Sequence, residues 1–208
     1  LRSIETETER LIRLVNDLLE LTRADAKAIQ LDLQRLDLVS LCRDLVGKWQ
    51  PIAASEQVEL DLASETPPIV VRADPDRIEQ VLIITLDNAL KHTEAGGGIR
   101  ISVELSHRKP KIASPEAPDL EDGHTFARIR VVDNGEGIPA DDIPHLFERF
   151  YRADPSRDRR RGGSGLGLSI AKALIEAHGG RISIQSPPEA PLPGGGPGAE
   201  VILDLPCV

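Results

Sequence analysis

The 208-residue chain contains no methionine and only five aromatic residues, Trp49, Phe126, Phe147, Phe150 and Tyr151. A core packed on rings is excluded, so it has to be built from Leu, Ile, Val and Ala, within a hydrophobic share of 40%. Cysteine is nearly absent. Cys42, in a helical pattern, and Cys207, at the tail, exclude a disulfide framework and a cysteine zinc site, and they fit a reducing cytoplasm. No apolar run reaches the roughly 18 residues that span a bilayer, and no signal-peptide pattern opens the chain, so no membrane contact is expected. Basic charge is in deficit: 25 Lys and Arg against 34 Asp and Glu leave a net charge of −9, which argues against a nucleic-acid surface. With no methionine to mark a start codon, the chain is expected to be a piece of a longer protein.

Glycine, by contrast, is concentrated. Residues 160–174, RRGGSGLGLSIAKAL, hold four glycines within six positions, directly ahead of a run with helical spacing. Exposed backbone amides followed by a helix N-terminus form an anion site, because unpaired N–H groups and the helix dipole both favour negative charge. The other reading is a hinge loop. Two familiar phosphate motifs are excluded. A Walker A loop needs Lys then Ser/Thr after its last glycine, where this chain has Leu168 and Ser169 after Gly167. The dinucleotide fingerprint lacks its third glycine at Leu168, and residues 154–161, DPSRDRRR, are no strand. Residues 152–161 carry five Arg and two Asp, a local positive patch suited to a small polyanion or a solvated loop.

Apolar or small residues at 4, 8, 11, 15, 18 and 22 give residues 1–27 the spacing of a bundle helix. A linker follows over 28–35, and a second unit occupies 36–208. There the pattern predicts an amphipathic helix over 38–54, then strands in VELDLA and IVVRA. Asp74-Pro75 is a helix start, and the following helix places Ile78, Val81, Leu82, Thr85, Leu86 and Ala89 on one face. Strands IRISVEL and FARIRVVD flank a long connector at 106–125, which length alone predicts to be mobile. A helix over 166–178, strand RISIQS, a Pro/Gly-rich connector at 187–198 and strand AEVILDL complete the chain. Helices with largely hairpin-linked strands predict an α+β fold, a two-layer α/β sandwich.

Strand 126–133 ends in VVDNGEGIP. With a period of two, Ala127, Ile129, Val131 and Asp133 share one face, so a carboxylate stands among core residues and needs a donor. A purine amino group would serve, with Gly135 and Gly137 letting a flat ring lie close to the chain. Asp-Gly turn chemistry is the plainer alternative. Asn88, Lys91 and His92 lie within about one turn of helix. Lys91 can neutralise phosphate and the Asn88 oxygen suits Mg²⁺, although the three also fit an ordinary polar face.

Taken in order, LDNALKHT, DNGEGIP, FERFYR and GGSGLGL resemble the N, G1, F and G2 boxes of sensor histidine kinases. HGGRISIQS…GAEVILDLP is similar to that family's closing strands, with Gly198-Ala199 in place of its last glycine box. ETERLIRLVNDLLELTRAD is similar to the second helix of its dimerisation and phosphoacceptor bundle. The resemblance implies a Bergerat-type ATP-binding fold with an N-terminal bundle helix. It also implies that Asp133 takes the adenine amino group, Asn88 holds Mg²⁺, Lys91 contacts phosphate and His92 stands by the ring. Gly163, Ser164, Gly165, Leu166 and Gly167 would cradle the phosphates of ATP, and Arg152 would reach the terminal one from a lid over 138–165. A response regulator is the implied partner. The longer protein would be a homodimer anchored at the inner membrane, and this chain a cytoplasmic monomer.

Two departures matter. The family often carries a second Asn where this chain has Ile84, which puts two-ligand metal binding in doubt. Related ATP-hydrolysing machines place a water-activating Glu there, a role Ile84 cannot take. The five histidines precede Thr (His92, His124), Arg (His107), Leu (His145) and Gly (His178). None has the acidic neighbour of a phosphoacceptor, so the accepting histidine is expected elsewhere. A nucleotide-sensing module with weak transfer, or a serine kinase of the anti-sigma type, are the alternatives.

Overall fold

The computed structural model describes residues 22, 29–63, 67–106, 125–153 and 164–207. The expected bundle helix over 1–27 lies outside the described residues apart from Thr22, as do Gly163, His107, His124 and nearly all of the connector at 106–125.

Eight-residue β5 (Phe126–Asp133) is the middle of a five-stranded sheet ordered β2-β4-β5-β7-β6. Its neighbours are β4 (Gly98–Ser106) and β7 (Ala199–Pro206), both antiparallel to it. The edges are β2 (Glu59–Leu62), parallel to β4, and β6 (Arg181–Gln185), antiparallel to β7. The register stacks Ile101, Val131 and Val201 in one row and Val103, Ile129 and Leu203 in the next. Alternation along each strand turns these residues to one face, where three helices cover them. Each fully buried Leu or Ile of that face contributes about 1.5–3 kcal/mol.

The helices are α1 (Leu38–Ser55), α2 (Pro75–His92) and α3 (Gly167–Ala177). The buried stripe of α2 is Ile78, Val81, Leu82, Thr85, Leu86 and Ala89, the face that its spacing predicts. Asp74 caps it: Oδ1 accepts from the backbone N–H of Asp76 at 3.1 Å and of Arg77 at 3.3 Å, and Pro75 occupies the first turn. Asp37 caps α1 in the same way through Val39. The two-layer α+β sandwich is therefore present, with helices on one face of a mostly antiparallel sheet.

A second, two-stranded sheet pairs β1 (Gln34–Asp37) with β3 (Val70–Ala73), and sequence reading misses β1. Gln34 and Arg35, expected in the linker, lie in it. Four residues without alternation give no strand signal, and only the partner strand defines β1. A short 3₁₀ turn at Ile143–His145 is likewise unsignalled.

The sheet face turned away from the three helices carries charge. Arg128 grips Asp204 with two bonds of 2.7 and 3.0 Å, and Arg130 reaches Glu200 at 2.7 Å, Glu104 at 3.1 Å and Glu189 at 3.4 Å. Glu200 and Asp204 are each only 1% exposed, and each is buried against its arginine partner.

Candidate nucleotide-binding site

Asp133 ends β5 and is 7% exposed. Its Oδ1 accepts from the backbone N–H of Gly135 at 2.9 Å and of Ala199 at 3.2 Å. Among the described residues no donor reaches Oδ2. The carboxylate is thus half satisfied, with one oxygen held by the chain. Burial pushes its pKa up, and the two N–H donors and nearby His92 only partly offset this. A buried carboxylate of this kind is stabilised by any further hydrogen-bond donor.

The neighbouring glycines are required by protein contacts, and no nucleotide is needed to explain them. A Cβ on Gly135 would collide with the carbonyl of His92, and one on Gly137 would lie 2.7 Å from Pro197 Cγ. The expectation that they also let a flat ring lie close to the chain is separate from these protein contacts. The two glycines let the loop after β5 pack against the C-terminus of α2 and against the 187–198 connector. Glu136 follows the same path, with its N–H donating to the His92 carbonyl at 3.3 Å and Oε1 lying 3.1 Å from His92 Nδ1.

On α2, Asn88 is half-buried, and among the described residues no partner meets its side-chain amide. Lys91 sits one turn short of free: its Nζ is ion-paired with Asp87 on the same helix. One turn before Asn88, Ile84 packs against the start of α3, where a Cβ on Gly167 would lie 3.1 Å from its Cγ2. The residue one turn before Asn88 is therefore apolar and packed against α3.

The glycine-rich loop enters α3 with Ser164 Oγ accepting from Leu166 N–H at 3.3 Å. Leu166 is buried at the N-cap, and no side chain caps α3, so the first-turn amides keep their outward capacity for an acceptor. Gly165 has φ of +71°, and its carbonyl accepts from Phe150 N–H at 2.8 Å. A Cβ there would come within 2.9 Å of the Phe150 backbone. The FERFYR segment is thereby fastened to the glycine loop, with half-buried Arg152 two residues beyond the contact. The helix segment 84–92 consequently adjoins both motifs, the loop after β5 through His92 and the start of α3 through Ile84.

Residues 73–208 match the model of the family described as histidine kinase-, DNA gyrase B-, and HSP90-like ATPase. The chain belongs to that family. Sensor histidine kinase YkoH of Bacillus subtilis is 36% identical over 188 residues, 90% of this chain and 36% of that protein. Sensor histidine kinase WalK of the same organism is 36% identical over 178 residues, 86% of this chain and 26% of that protein. The chain thus spans about a third or less of these relatives. Full-length ShkA in complex with AMPPNP superposes with a TM-score of 0.74 at 28% identity, covering 98% of this chain and 37% of that one. Residues 73–208 are the ATP-binding catalytic domain of this family, in the form found in sensor histidine kinases. Among the described residues no helix is long and apolar enough to cross a membrane.

The domain's sequence conceals several participants. Asp87 as the resting partner of Lys91, Glu136 beside His92, and Asn134 between two loops all carry weight in this geometry. Asp87 could have been found from its i,i+4 spacing to Lys91. Asn134 reads only as a turn residue within Asp-Asn-Gly.

Proposed function

We propose that the chain is the catalytic part of a two-component sensor histidine kinase, moving the γ-phosphate of ATP to a histidine on a separate helix. From there the phosphoryl group would pass to a response regulator. The observation that carries the reading is Asp133, a buried carboxylate with one oxygen held by backbone amides and the other left open. That oxygen would accept from the adenine amino group. The side-chain oxygen of Asn88 would hold Mg²⁺, which supplies charge neutralisation at the phosphates when bound. Lys91 would exchange Asp87 for a phosphate oxygen. The amides from Gly165 through Gly167, with Ser164 and Gly163, would cradle the phosphates, and Arg152 would meet the terminal one. His92, held by Glu136, would stand beside the ring. All of these residues position and neutralise, so the nucleophile has to be supplied to them.

Among the described residues no three His, Cys, Asp or Glu side chains gather as a metal cluster. Among the described residues, Asn88 would be the helix-borne ligand for magnesium. Because Ile84 has no proton-accepting group, water activation at that position is absent and ATP hydrolysis should be slow. The same observation favours a second reading, in which nucleotide binding sets conformation and transfer is weak.

The test incubates the chain with γ-labelled ATP, alone and with a separately folded bundle carrying an acceptor histidine. No label on the chain alone and acid-labile label on the bundle are expected. Acid-labile label on the chain alone would assign the acceptor to one of its own histidines. An unlabelled but folded cognate bundle would select the nucleotide-sensing reading.

A further inference from the structure

We propose that Asn134 is a positioning residue for nucleotide-base selection: it clamps the β6–β7 connector and so keeps Asp133 aimed at the base. This rests on the adenine reading above.

Asn134 follows Asp133 and is itself buried. Its Oδ1 accepts from Gly98 N–H, at the start of β4, at 2.8 Å. Its Nδ2 donates to the carbonyls of Pro193 at 3.0 Å and Gly194 at 3.1 Å. Its own backbone carbonyl accepts from Gly196 N–H at 2.7 Å. The partner chemistry admits one orientation of the amide, because an N–H faces one end and two carbonyls face the other. One side chain thus ties the segment after β5 both to β4 and to a Pro/Gly-rich connector with few apolar anchors of its own.

That connector leads directly to Ala199, whose N–H is one of the two donors holding Asp133 Oδ1. The second donor, Gly135 N–H, belongs to the same loop as Asp133 and survives any movement of the connector. The Ala199 bond, at 3.2 Å the longer of the two, lies at the last pair of the β5–β7 ladder, Asp133 with Ala199, where the connector runs into β7 and the ladder has no further pair beyond it. With both donors in place the carboxylate plane is set and Oδ2 has one direction. With Gly135 alone, the carboxylate can rotate about its last torsion, which is broad for an sp³–sp² bond. Asn134 therefore acts on base recognition through Asp133, without touching the ligand.

Binding of ATP is compared with binding of purine riboside 5′-triphosphate, which lacks the amino group but keeps the ring and phosphates. The wild-type chain should prefer ATP by on the order of tenfold to a hundredfold, the range of a hydrogen bond to a charged acceptor. Asp133→Asn keeps an acceptor for Gly135 and Ala199 but presents an NH₂ to the base, and should lose the preference. Asn134→Asp is isosteric and keeps the Gly98 contact while setting an oxygen against two carbonyls. Asn134→Ala removes the clamp altogether. Both should lower the preference to within about threefold of unity, with affinity for the analogue unchanged. Loss of preference in Asp133→Asn but not in either Asn134 variant overturns the positioning role. Equal weakening of both nucleotides by the Asn134 variants overturns it as well, since that marks general disruption. A preference that survives Asp133→Asn removes the adenine reading itself, and this inference with it.

Discussion

In the proposed reading, Asp133 serves fold and ligand at once. Removing its carboxylate would strand the N–H groups of Gly135 and Ala199 in a buried place, at about 1–3 kcal/mol of stability. Asp133→Asn is the cleaner change, because the amide oxygen can still accept from both. It should weaken ATP binding by about 1.5–3 kcal/mol with the unfolding transition nearly unmoved. Titration calorimetry paired with thermal unfolding measures both; unchanged ATP affinity would refute the adenine role. Asn88 supports a parallel expectation. Its side-chain amide has no partner among the described residues, and Ile84 offers none to a metal. Asn88→Ala should therefore reduce the magnesium-dependent part of ATP affinity more than the metal-free part. Full magnesium dependence in the variant would place the metal on other groups.

At the scale of elements, the start of α2 is a junction. Asp74 caps its own helix with Oδ1, holds Asp32 N–H with Oδ2 at 3.0 Å, and donates its own N–H to His178 Nε2 at 3.0 Å. Burial alone would raise the Asp74 pKa, but the donors from Asp32, Arg77 and Asp76 outweigh it and the result lies below the usual value. Asp74→Ala should cost about 1–2 kcal/mol, the range for a lost N-cap, as read from urea unfolding. His178 closes the C-terminal end of α3: its Nδ1 lies 2.7 Å from the Leu174 carbonyl, so Nδ1 carries the hydrogen and Nε2 is the acceptor. Burial lowers its pKa below the ordinary 6.5, with Leu174 and Asp74 opposing in part. Between the lowered folded value and 6.5 the unfolded chain binds more protons, so stability rises with pH across that window. It is complete above 6.5 and falls on acidification. The slope of unfolding free energy against pH in that window should flatten in His178→Gln, and an unchanged slope would exclude His178 as its source.

For the whole molecule, the two sheet faces are held in different ways. The helix-covered face is a continuous aliphatic core, as the scarcity of aromatics demands. The face turned away from the helices is stitched by Arg128–Asp204 and by Arg130 reaching across β4 and β7. Glu200 is buried against Arg130, and Gln185 Nε2 and Glu189 N–H also donate to it. Glu200→Ala should therefore destabilise the domain by about 3–5 kcal/mol, because Arg130 keeps its charge and loses its best-buried partner. Chemical denaturation measures this, and a loss under about 1 kcal/mol would mean that Arg130 is served by Glu104 and Glu189 alone.

Much of this was legible in the chain before any coordinates. Period-two and helical spacing identified β4 through β7 and the buried stripe of α2, because each of those elements must hide one apolar face. Asp74-Pro75 marked a helix start by purely local chemistry. The four ordered motifs pointed to the ATP-binding domain because each keeps its glycines, acids and amides within a few residues. What the chain alone could not show depends on neighbours distant in sequence. β1 exists only because β3 lies beside it. Gly135 is glycine because the His92 carbonyl of another element presses on it, and Asn134 is a clamp only once Gly98 and Pro193 are brought to its two ends. Sequence by itself determined which residues carry the carboxylate, amide and ammonium groups that the proposed nucleotide site uses, since those belong to side-chain chemistry. Tertiary structure alone decided which Asp133 oxygen is left open and what holds the other, since hydrogen bonds between distant segments form only when the fold has closed.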